Sequence, residues 1–346
     1  MTQPFKIVIP DFINDDLAPE HQVFGDRGKT VAIDAHHESQ LVGHIEDADA
    51  IMLYHNLSLT AATINKLDRC KLIVRCGVGY DNVDHLLAAS RGIPVANVPD
   101  YGTEEVADSA LAMALTLARG VHSINSTLRS KIGPYSYTQV APLQRLRGKV
   151  FGIVGLGRIG TAAALRAKAF GMQVVFYDPL RPDGYDKAMG CTRVETLEEL
   201  LAQAHILSLH CPLTDLTRHM INEQTLSQMR PGSFLVNTAR GGVVDTKALP
   251  NALASGQLAG AGIDVLAQEP PTDDNPLVAA WRDPEHLAHH RLILNPHSAF
   301  YSEQGLMDMR LKGANACLNA LLNQPVRNIV NQAALNQASA KLQTVS

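Results

Sequence analysis

The feature that most constrains the fold is a strand-like run, a glycine-rich turn and a helical stretch that follow one another within residues 149–170. The turn reads Gly155-Leu156-Gly157-Arg158-Ile159-Gly160. Its first glycine permits the tight turn, its second lets a pyrophosphate approach the backbone, and its third lets helix pack close to strand. The helix N-terminus then offers N–H groups and a positive dipole end to phosphates. The segment predicts a dinucleotide-binding unit.

An acidic residue stands where such a unit would hold the adenosine ribose. The next strand-like run ends just before Asp178, which comes 18 residues after Gly160. At about this spacing a carboxylate takes the ribose hydroxyls and repels a 2′-phosphate. Arg181, three residues further on, would soften that discrimination. We therefore expect NAD as the cofactor, preferred over NADP.

Short β-branched runs alternate with helical patterns along the whole chain. These runs are 7–9, 50–53, 72–74, 95–97, 150–154, 174–177, 206–209, 235–237, 261–264 and 292–294. Strands buried on both faces have this composition, so the fold class is α/β, with parallel sheets covered by helices. A length of 346 residues favours two lobes.

Composition excludes several classes of protein. The 30 Lys and Arg against 34 Asp and Glu give a net charge of −4, so no basic field exists to hold a nucleic acid. No apolar run approaches the length of a membrane-spanning helix, and no export signal is visible. The five cysteines are scattered, which favours reduced thiols, a cytoplasmic location and no metal site.

A long helical stretch over residues 104–128 carries a stripe of small and apolar side chains. The stripe consists of Ala107, Leu111, Ala114, Leu115 and Ala118. It exceeds what one lobe needs, so we expect a homodimer built largely on this helix. Burial of the stripe between the two lobes of one chain is the alternative.

Three further strand-like runs are each followed by residues able to do chemistry. Arg240 follows the run 235–237, Asp264 and Glu269 end or follow the run 261–264, and His297 follows the run 292–294. Each alone is typical of a surface charge or a structural histidine. Together they gather at the edge of the sheet where ligands bind. Since a guanidinium can hold a carboxylate and a neighbouring carboxylate favours protonated histidine, the pattern predicts acid/base catalysis of hydride transfer.

The chain resembles the D-isomer-specific 2-hydroxyacid dehydrogenases over nearly its whole length. The motifs that carry the resemblance are RCGVGYDNVD at 75–84, NVP at 97–99, EEVAD at 104–108, the glycine turn, HCPLT at 210–214 and the three runs above. MLYH at 52–55 and Asp178-Pro179 are most similar to the C-terminal-binding protein branch, although Phe300 stands where that branch has Trp.

The resemblance implies a domain organisation. A flavodoxin-like substrate (catalytic) domain, 1–101 plus 298–346, would be discontinuous around a continuous Rossmann-like NAD-binding domain, 102–297, which contains the dimerisation helix.

It also implies residue roles. Arg240 would bind the substrate carboxylate and carbonyl, His297 would be the general acid/base, and Glu269 would orient it. Further substrate contacts would come from Tyr54, His55, Val78, Gly79 and Phe300. The dinucleotide would be lined by Val78, Val106, Gly155, Gly157, Arg158, Ile159, Gly160, Asp178, Cys211, Pro212, Thr217, Thr238, Ala239, Arg240, Asp264 and His297.

The expected activity is NAD-dependent hydride transfer to and from C2 of a small 2-oxo or 2-hydroxy acid. The alternative is an NADH-sensing scaffold that binds protein partners, as the C-terminal-binding branch can. An apolar wall of Tyr54, His55 and Phe300 favours substrates with short neutral side chains. Arg310 or Lys312 could still swing in to neutralise a second charge.

Overall fold

The computed structural model describes residues 3–345 and divides into two compact units. Unit 1 comprises Met1–Gly102 and Ser302–Ser346, and unit 2 comprises Thr103–Tyr301. The division expected from the resemblance was 1–101 plus 298–346 around 102–297. Its assignment to substrate and cofactor stays a prediction at this stage.

Strands and helices alternate along most of the chain. The strands are β1 (Phe5–Ile9), β2 (Gly28–Ala32), β3 (Ala50–Leu53), β4 (Leu72–Arg75), β5 (Val95–Asn97), β6 (Val150–Val154), β7 (Gln173–Tyr177), β8 (Thr192–Arg193), β9 (Ile206–Leu209), β10 (Ser233–Asn237), β11 (Leu258–Ile263) and β12 (Leu292–Leu294). The α-helices are α1 (Ala18–Phe24), α2 (Ala61–Ile64), α3 (His85–Ser90), α4 (Thr103–Ala118), α5 (Val121–Ser130), α6 (Arg158–Ala169), α7 (Tyr185–Met189), α8 (Leu197–Gln203), α9 (Glu223–Gln228), α10 (Leu249–Ala254), α11 (Pro276–Arg282), α12 (Glu303–Leu321) and α13 (Gln332–Val345).

Unit 1 is built on a five-stranded parallel sheet in the order β2-β1-β3-β4-β5. Strands β3 and β4 are buried at every residue, and all of these residues except Arg75 are apolar. Helix α12 packs on β3 and β4, and α13 packs on α3. This order is that of flavodoxin-like sheets, and its reversal lies between β1 and β3.

Unit 2 is built on a seven-stranded parallel sheet in the order β12-β11-β10-β9-β6-β7-β8. The order reverses between β6 and β9, which is the point where doubly wound sheets bind dinucleotides beyond the carboxyl ends of their strands. The expected α/β class with two parallel sheets is confirmed.

The predicted long helix over 104–128 is two helices. Helix α4 ends at Ala118, Gly120 adopts a left-handed conformation with φ 64°, and α5 begins at Val121. Most of the apolar stripe is buried inside unit 2, where α4 packs on α6, β10 and β11. The stripe therefore does not exceed what its own lobe needs, and the argument from it to a dimer was wrong.

The described residues contain neither a membrane-spanning helix nor a metal-binding cluster. None of their helices combines the length and apolar character needed to cross a membrane. They also contain no cluster of three or more His, Cys, Asp or Glu side chains arranged to hold a metal ion.

Candidate active site

The glycine turn lies between β6 and α6, and close contacts explain two of its glycines. Gly155 has φ 88°, and a Cβ there would lie 2.9 Å from the backbone nitrogen of Cys211. A Cβ on Gly160 would lie 2.1 Å from the carbonyl oxygen of Gly155. At Gly157, by contrast, the nearest atom is 3.9 Å away, on Arg181, so the backbone is open to an approaching phosphate. No side chain caps α6, and the turn therefore fits a dinucleotide.

The carboxylate of Asp178 follows β7 and is tied to the same turn. Its Oδ2 accepts the N–H of Leu156 at 2.8 Å and Nε of Arg181 at 3.2 Å. Its Oδ1 accepts the N–H of Leu180 at 2.9 Å. These bonds hold Asp178 beside the glycine turn, where the ribose of a dinucleotide would lie.

The residues after β9 and β10 include two buried polar atoms without hydrogen-bond partners among the described residues. They are Nδ1 of His210 and Oγ1 of Thr238. The other ring nitrogen of His210 lies 2.9 Å from Oγ of Ser208, and burial lowers the pKa of His210 to about 4. Such atoms at the carboxyl edge of the sheet are consistent with a polar ligand, which strengthens the fit of unit 2 to NAD.

A tight turn after β10 presents Arg240. The fully buried side chain of Asn237 accepts the N–H of Ala239 at 3.0 Å and donates to the carbonyl of Arg240 at 2.9 Å. Nη1 of Arg240 donates to the carbonyl of Ala239 at 2.8 Å. A Cβ on Gly241 would lie 1.9 Å from the carbonyl carbon of Leu266, so only glycine permits this approach of the two loops.

His297 and Glu269 form a direct pair. Nδ1 of His297 lies 2.7 Å from Oε2 of Glu269. The other carboxylate oxygen of Glu269 accepts the N–H of Leu266 at 2.7 Å, which fixes the carboxylate. Phe300 contacts the imidazole edge to face, with ring centroids 6.2 Å apart. The contact between His297 and Glu269 that the sequence predicted is present in the structure.

Asp264 shapes the backbone at the histidine. His297 has a left-handed φ of 53°, and its N–H donates to the carbonyl of Asp264 at 2.8 Å. The buried carboxylate of Asp264 accepts the N–H groups of Ser298 at 2.9 Å and Ala299 at 3.0 Å. Burial raises the pKa of Asp264, an effect opposed by these two hydrogen bonds and by His297.

The other predicted cofactor residues of unit 2 lie on elements already described. Val106 is buried on α4, whereas Arg158 and Ile159 begin α6 and Ala239 belongs to the Asn237 turn. Pro212 and Thr217 lie in the loop after β9, where Oγ1 of Thr217 donates to the carbonyl of Pro212 at 2.6 Å.

Unit 1 holds the remaining predicted substrate residues near the carboxyl ends of β3 and β4. Tyr54 is fully buried and His55 is half-buried, both after β3. Val78 and Gly79 follow β4, and Asn97 donates to the carbonyl of Val78 at 2.6 Å. That these residues contact substrate stays a prediction.

Sequence reasoning missed two residues that shape the loop after β3. Buried Asp11 accepts the N–H groups of Tyr54 at 2.8 Å, Asn56 at 2.8 Å and Leu57 at 3.1 Å. Phe12 has a backbone φ of 69°, and the centroid of its ring lies 4.5 Å from the ring centroid of His55. Both residues follow β1, which pairs with β3 at the point where the strand order reverses. Their proximity to the loop after β3 could be inferred only once the order of the strands was known.

The two basic residues considered for a second substrate charge are both engaged within unit 1. Arg310 is buried and bonds Asp15 at 2.6 Å and Glu20 at 2.6 Å. Lys312 lies 3.2 Å from Asp100 and 3.0 Å from Asp308.

Comparison with known proteins identifies the fold family. Residues 111–299 match the family described as D-isomer specific 2-hydroxyacid dehydrogenase, NAD binding domain. The chain is 35% identical over 304 residues to C-terminal-binding protein 1 of Caenorhabditis elegans, covering 85% of this chain and 41% of that protein. It is 32% identical over 326 residues to D-3-phosphoglycerate dehydrogenase of Methanocaldococcus jannaschii, covering 94% of this chain and 59% of that protein.

A solved structure is similar over almost its whole length. The D-lactate dehydrogenase of Aquifex aeolicus, crystallised with NAD and lactic acid, superposes with a TM-score of 0.82 at 29% identity, covering 92% of this chain and 96% of that one. The chain spans 41% and 59% of the lengths of the two curated relatives. It belongs to the D-isomer-specific 2-hydroxyacid dehydrogenase family, whose NAD-binding domain is matched by residues 111–299.

Proposed function

We propose that this protein interconverts a small 2-oxo acid and the corresponding D-2-hydroxy acid with NAD(H). The observation that carries the proposal is the 2.7 Å contact between Nδ1 of His297 and Glu269, on the same sheet edge as Arg240 and the glycine turn. In its proposed role NADH, when bound, supplies the hydride that reduces C2.

The side chains of unit 2 supply the proton and the charge. In reduction, protonated His297 gives the proton on Nε2 to the carbonyl oxygen, so that the product is an alcohol. Glu269 keeps Nδ1 protonated and stabilises the imidazolium. Arg240 holds the substrate carboxylate and stabilises negative charge on the carbonyl oxygen. In oxidation, His297 takes the proton back.

The decisive experiment is a steady-state assay with NADH and a panel of 2-oxo acids. His297→Ala should lower kcat/KM by about 10² to 10⁴ while NADH binding is nearly retained. His36→Ala, which removes an exposed histidine of unit 1, is the control and should leave the rate unchanged. Full activity in His297→Ala would contradict the proposal.

The same assay separates the alternative function. A relative at 35% identity is a C-terminal-binding protein, so an NADH-sensing scaffold is the second candidate function. A scaffold would bind NADH but turn over none of the panel. The intact set of Arg240, Glu269 and His297 favours the enzyme.

We propose that the substrate carries a short neutral side chain. Arg310 and Lys312 are engaged by acidic residues, so moving either to a second anionic group would break existing ion pairs. Pyruvate-sized acids should then exceed 2-oxoglutarate and 3-phosphohydroxypyruvate in kcat/KM, and the similar enzyme crystallised with lactic acid supports this order. A dianionic acid at the head of the panel would refute it.

We also propose that the protein forms a homodimer. The support comes from exposed apolar side chains and not from the stripe on α4. Ile132, Tyr135 and Tyr137 are 82%, 86% and 81% exposed in the segment after α5. Exposed apolar patches commonly mark interfaces, and C2 dimers are the commonest assembly. Light scattering should give twice the chain mass of 37.4 kDa, and the monomer mass would refute the dimer.

A further inference from the structure

Most of the hydrogen-bonding capacity of Asp178 is already used within the protein. Two donors reach Oδ2, the N–H of Leu156 and Nε of Arg181, and a third, the N–H of Leu180, reaches Oδ1. An ionised carboxylate offers about four lone-pair positions, so roughly one is left for a ribose hydroxyl. The charge that would repel a 2′-phosphate is also paired with a cation 3.2 Å away.

The guanidinium of Arg181 lies beside both this carboxylate and the glycine turn. It packs over the ring of Tyr185, with Cζ 5.4 Å from the ring centroid. Its Nη2 lies 3.9 Å from the position of a Cβ on Gly157. Only Nε is engaged: within residues 3–345, Nη1 and Nη2 make no hydrogen bond. The side chain is 33% exposed, so a ligand can reach it.

The loop that carries Arg181 is itself held in place. The carbonyl of Arg181 accepts Nη1 of Arg193 at 3.0 Å, and Arg193 also pairs with Asp183 and Glu195. A fixed backbone and an aromatic support leave the guanidinium little freedom to lose on binding, which favours recognition of an anion.

We propose that Arg181 is a binding residue for the 2′-phosphate of NADP(H), so that the protein accepts both dinucleotides with NAD(H) preferred. Nη1 and Nη2 would take the phosphate, for which a guanidinium has the matching geometry. Nε keeps its bond to Asp178 and offsets the repulsion that a lone carboxylate would exert. The inference rests on the cofactor-binding part of the proposed function and on no step of the chemistry.

The test measures binding in the absence of a 2-oxo acid. NADH and NADPH are titrated by their fluorescence, and adenosine 2′,5′-bisphosphate and adenosine 5′-monophosphate by calorimetry. In Arg181→Gln, NADPH and the bisphosphate should bind about 10- to 100-fold more weakly, whereas NADH and the monophosphate should be nearly unaffected. Arg282→Gln is the control, since it removes an equally charged but more exposed side chain from α11.

Two further variants make the result independent of one substitution. Arg181→Lys keeps the charge without the planar fork, so it should retain part of the NADPH affinity. Asp178→Asn should reduce the difference in affinity between NADH and NADPH, whereas Arg181→Gln should increase it.

Two outcomes overturn the proposal. One is wild-type protein that binds NADH but shows no binding of NADPH or the bisphosphate. The other is an equal loss of NADH and NADPH affinity in both Arg181 variants, which would make Arg181 a structural partner of Asp178 only. Absence of turnover with every 2-oxo acid would instead refute the proposed function and leave this inference standing.

Discussion

Replacing His210 should change how the stability of unit 2 depends on pH. Burial lowers the pKa of His210 to about 4 from an ordinary value of 6.5. Between these two pH values His210 is protonated in the unfolded chain but neutral in the folded chain. The free energy of unfolding therefore decreases as pH falls from 6.5 towards 4. At 1.36 kcal/mol for each tenfold difference in proton affinity, the full effect is about 3 kcal/mol. Most of it should be lost by pH ~4.5.

The comparison variant is His210→Gln, because a glutamine amide can replace the ring nitrogen that lies 2.9 Å from Ser208. Urea unfolding would be followed at pH about 7.5 and about 4.5 by the fluorescence of Trp281, the only tryptophan of the chain, which lies on α11 of unit 2. Subtracting the change in unfolding free energy of the variant from that of wild type removes the contribution of all other titrating groups.

The expected result is that wild type loses about 2 to 3 kcal/mol more than His210→Gln between the two pH values, or roughly 1 M in urea midpoint. Equal losses in the two proteins would refute the reasoning, since they would mean that His210 takes up its proton equally readily in the folded chain.

Two further predictions concern the turn that presents Arg240. Asn237→Ala removes both hydrogen bonds that close this turn, so kcat/KM should fall by at least about tenfold through a higher KM, while the exposed Asn251→Ala should have no effect. Gly241→Ala places a methyl group 1.9 Å from the carbonyl carbon of Leu266, so it should lower the midpoint of thermal unfolding, and an unchanged midpoint would disprove the close approach.

The sequence predicted ten strands, and all ten are present: eight are interior strands with apolar runs, and two, β5 and β12, are edge strands. It missed the other two edge strands, β2 and β8. The sequence of β2 is Gly-Lys-Thr-Val-Ala and none of its residues is fully buried, so it lacks the apolar signature of a central strand. Strand β8 has only two residues, Thr192–Arg193, too few for any pattern.

The apolar stripe on α4 shows where periodicity misleads. Periodicity reports that a face is buried but not what covers it, and Ala107, Leu111 and Ala114 are covered by the sheet and α6 of their own unit. The break at Gly120 was readable in principle, because glycine commonly occupies the left-handed position at a helix end.

The candidate site could be predicted as a set of positions but not as a geometry. The end of an apolar run fixes which residues reach the carboxyl edge of a sheet, and that was enough to name Arg240, Glu269 and His297. It could not show that Asn237 clamps the turn at Arg240, since a buried asparagine at a strand end resembles any other polar residue that ends a strand.

The orientation of the histidine depends on contacts between separate strands. His297 is left-handed, a conformation that costs a non-glycine residue free energy unless the surrounding structure enforces it. Here Asp264, which ends the neighbouring strand, accepts two N–H groups from Ser298 and Ala299, while its own carbonyl accepts the N–H of His297. These bonds fix the main chain on both sides of the imidazole, while Glu269 contacts Nδ1 of the ring at 2.7 Å. Two carboxylates therefore contact different parts of this segment, because Asp264 binds the main chain around His297 and Glu269 binds its ring.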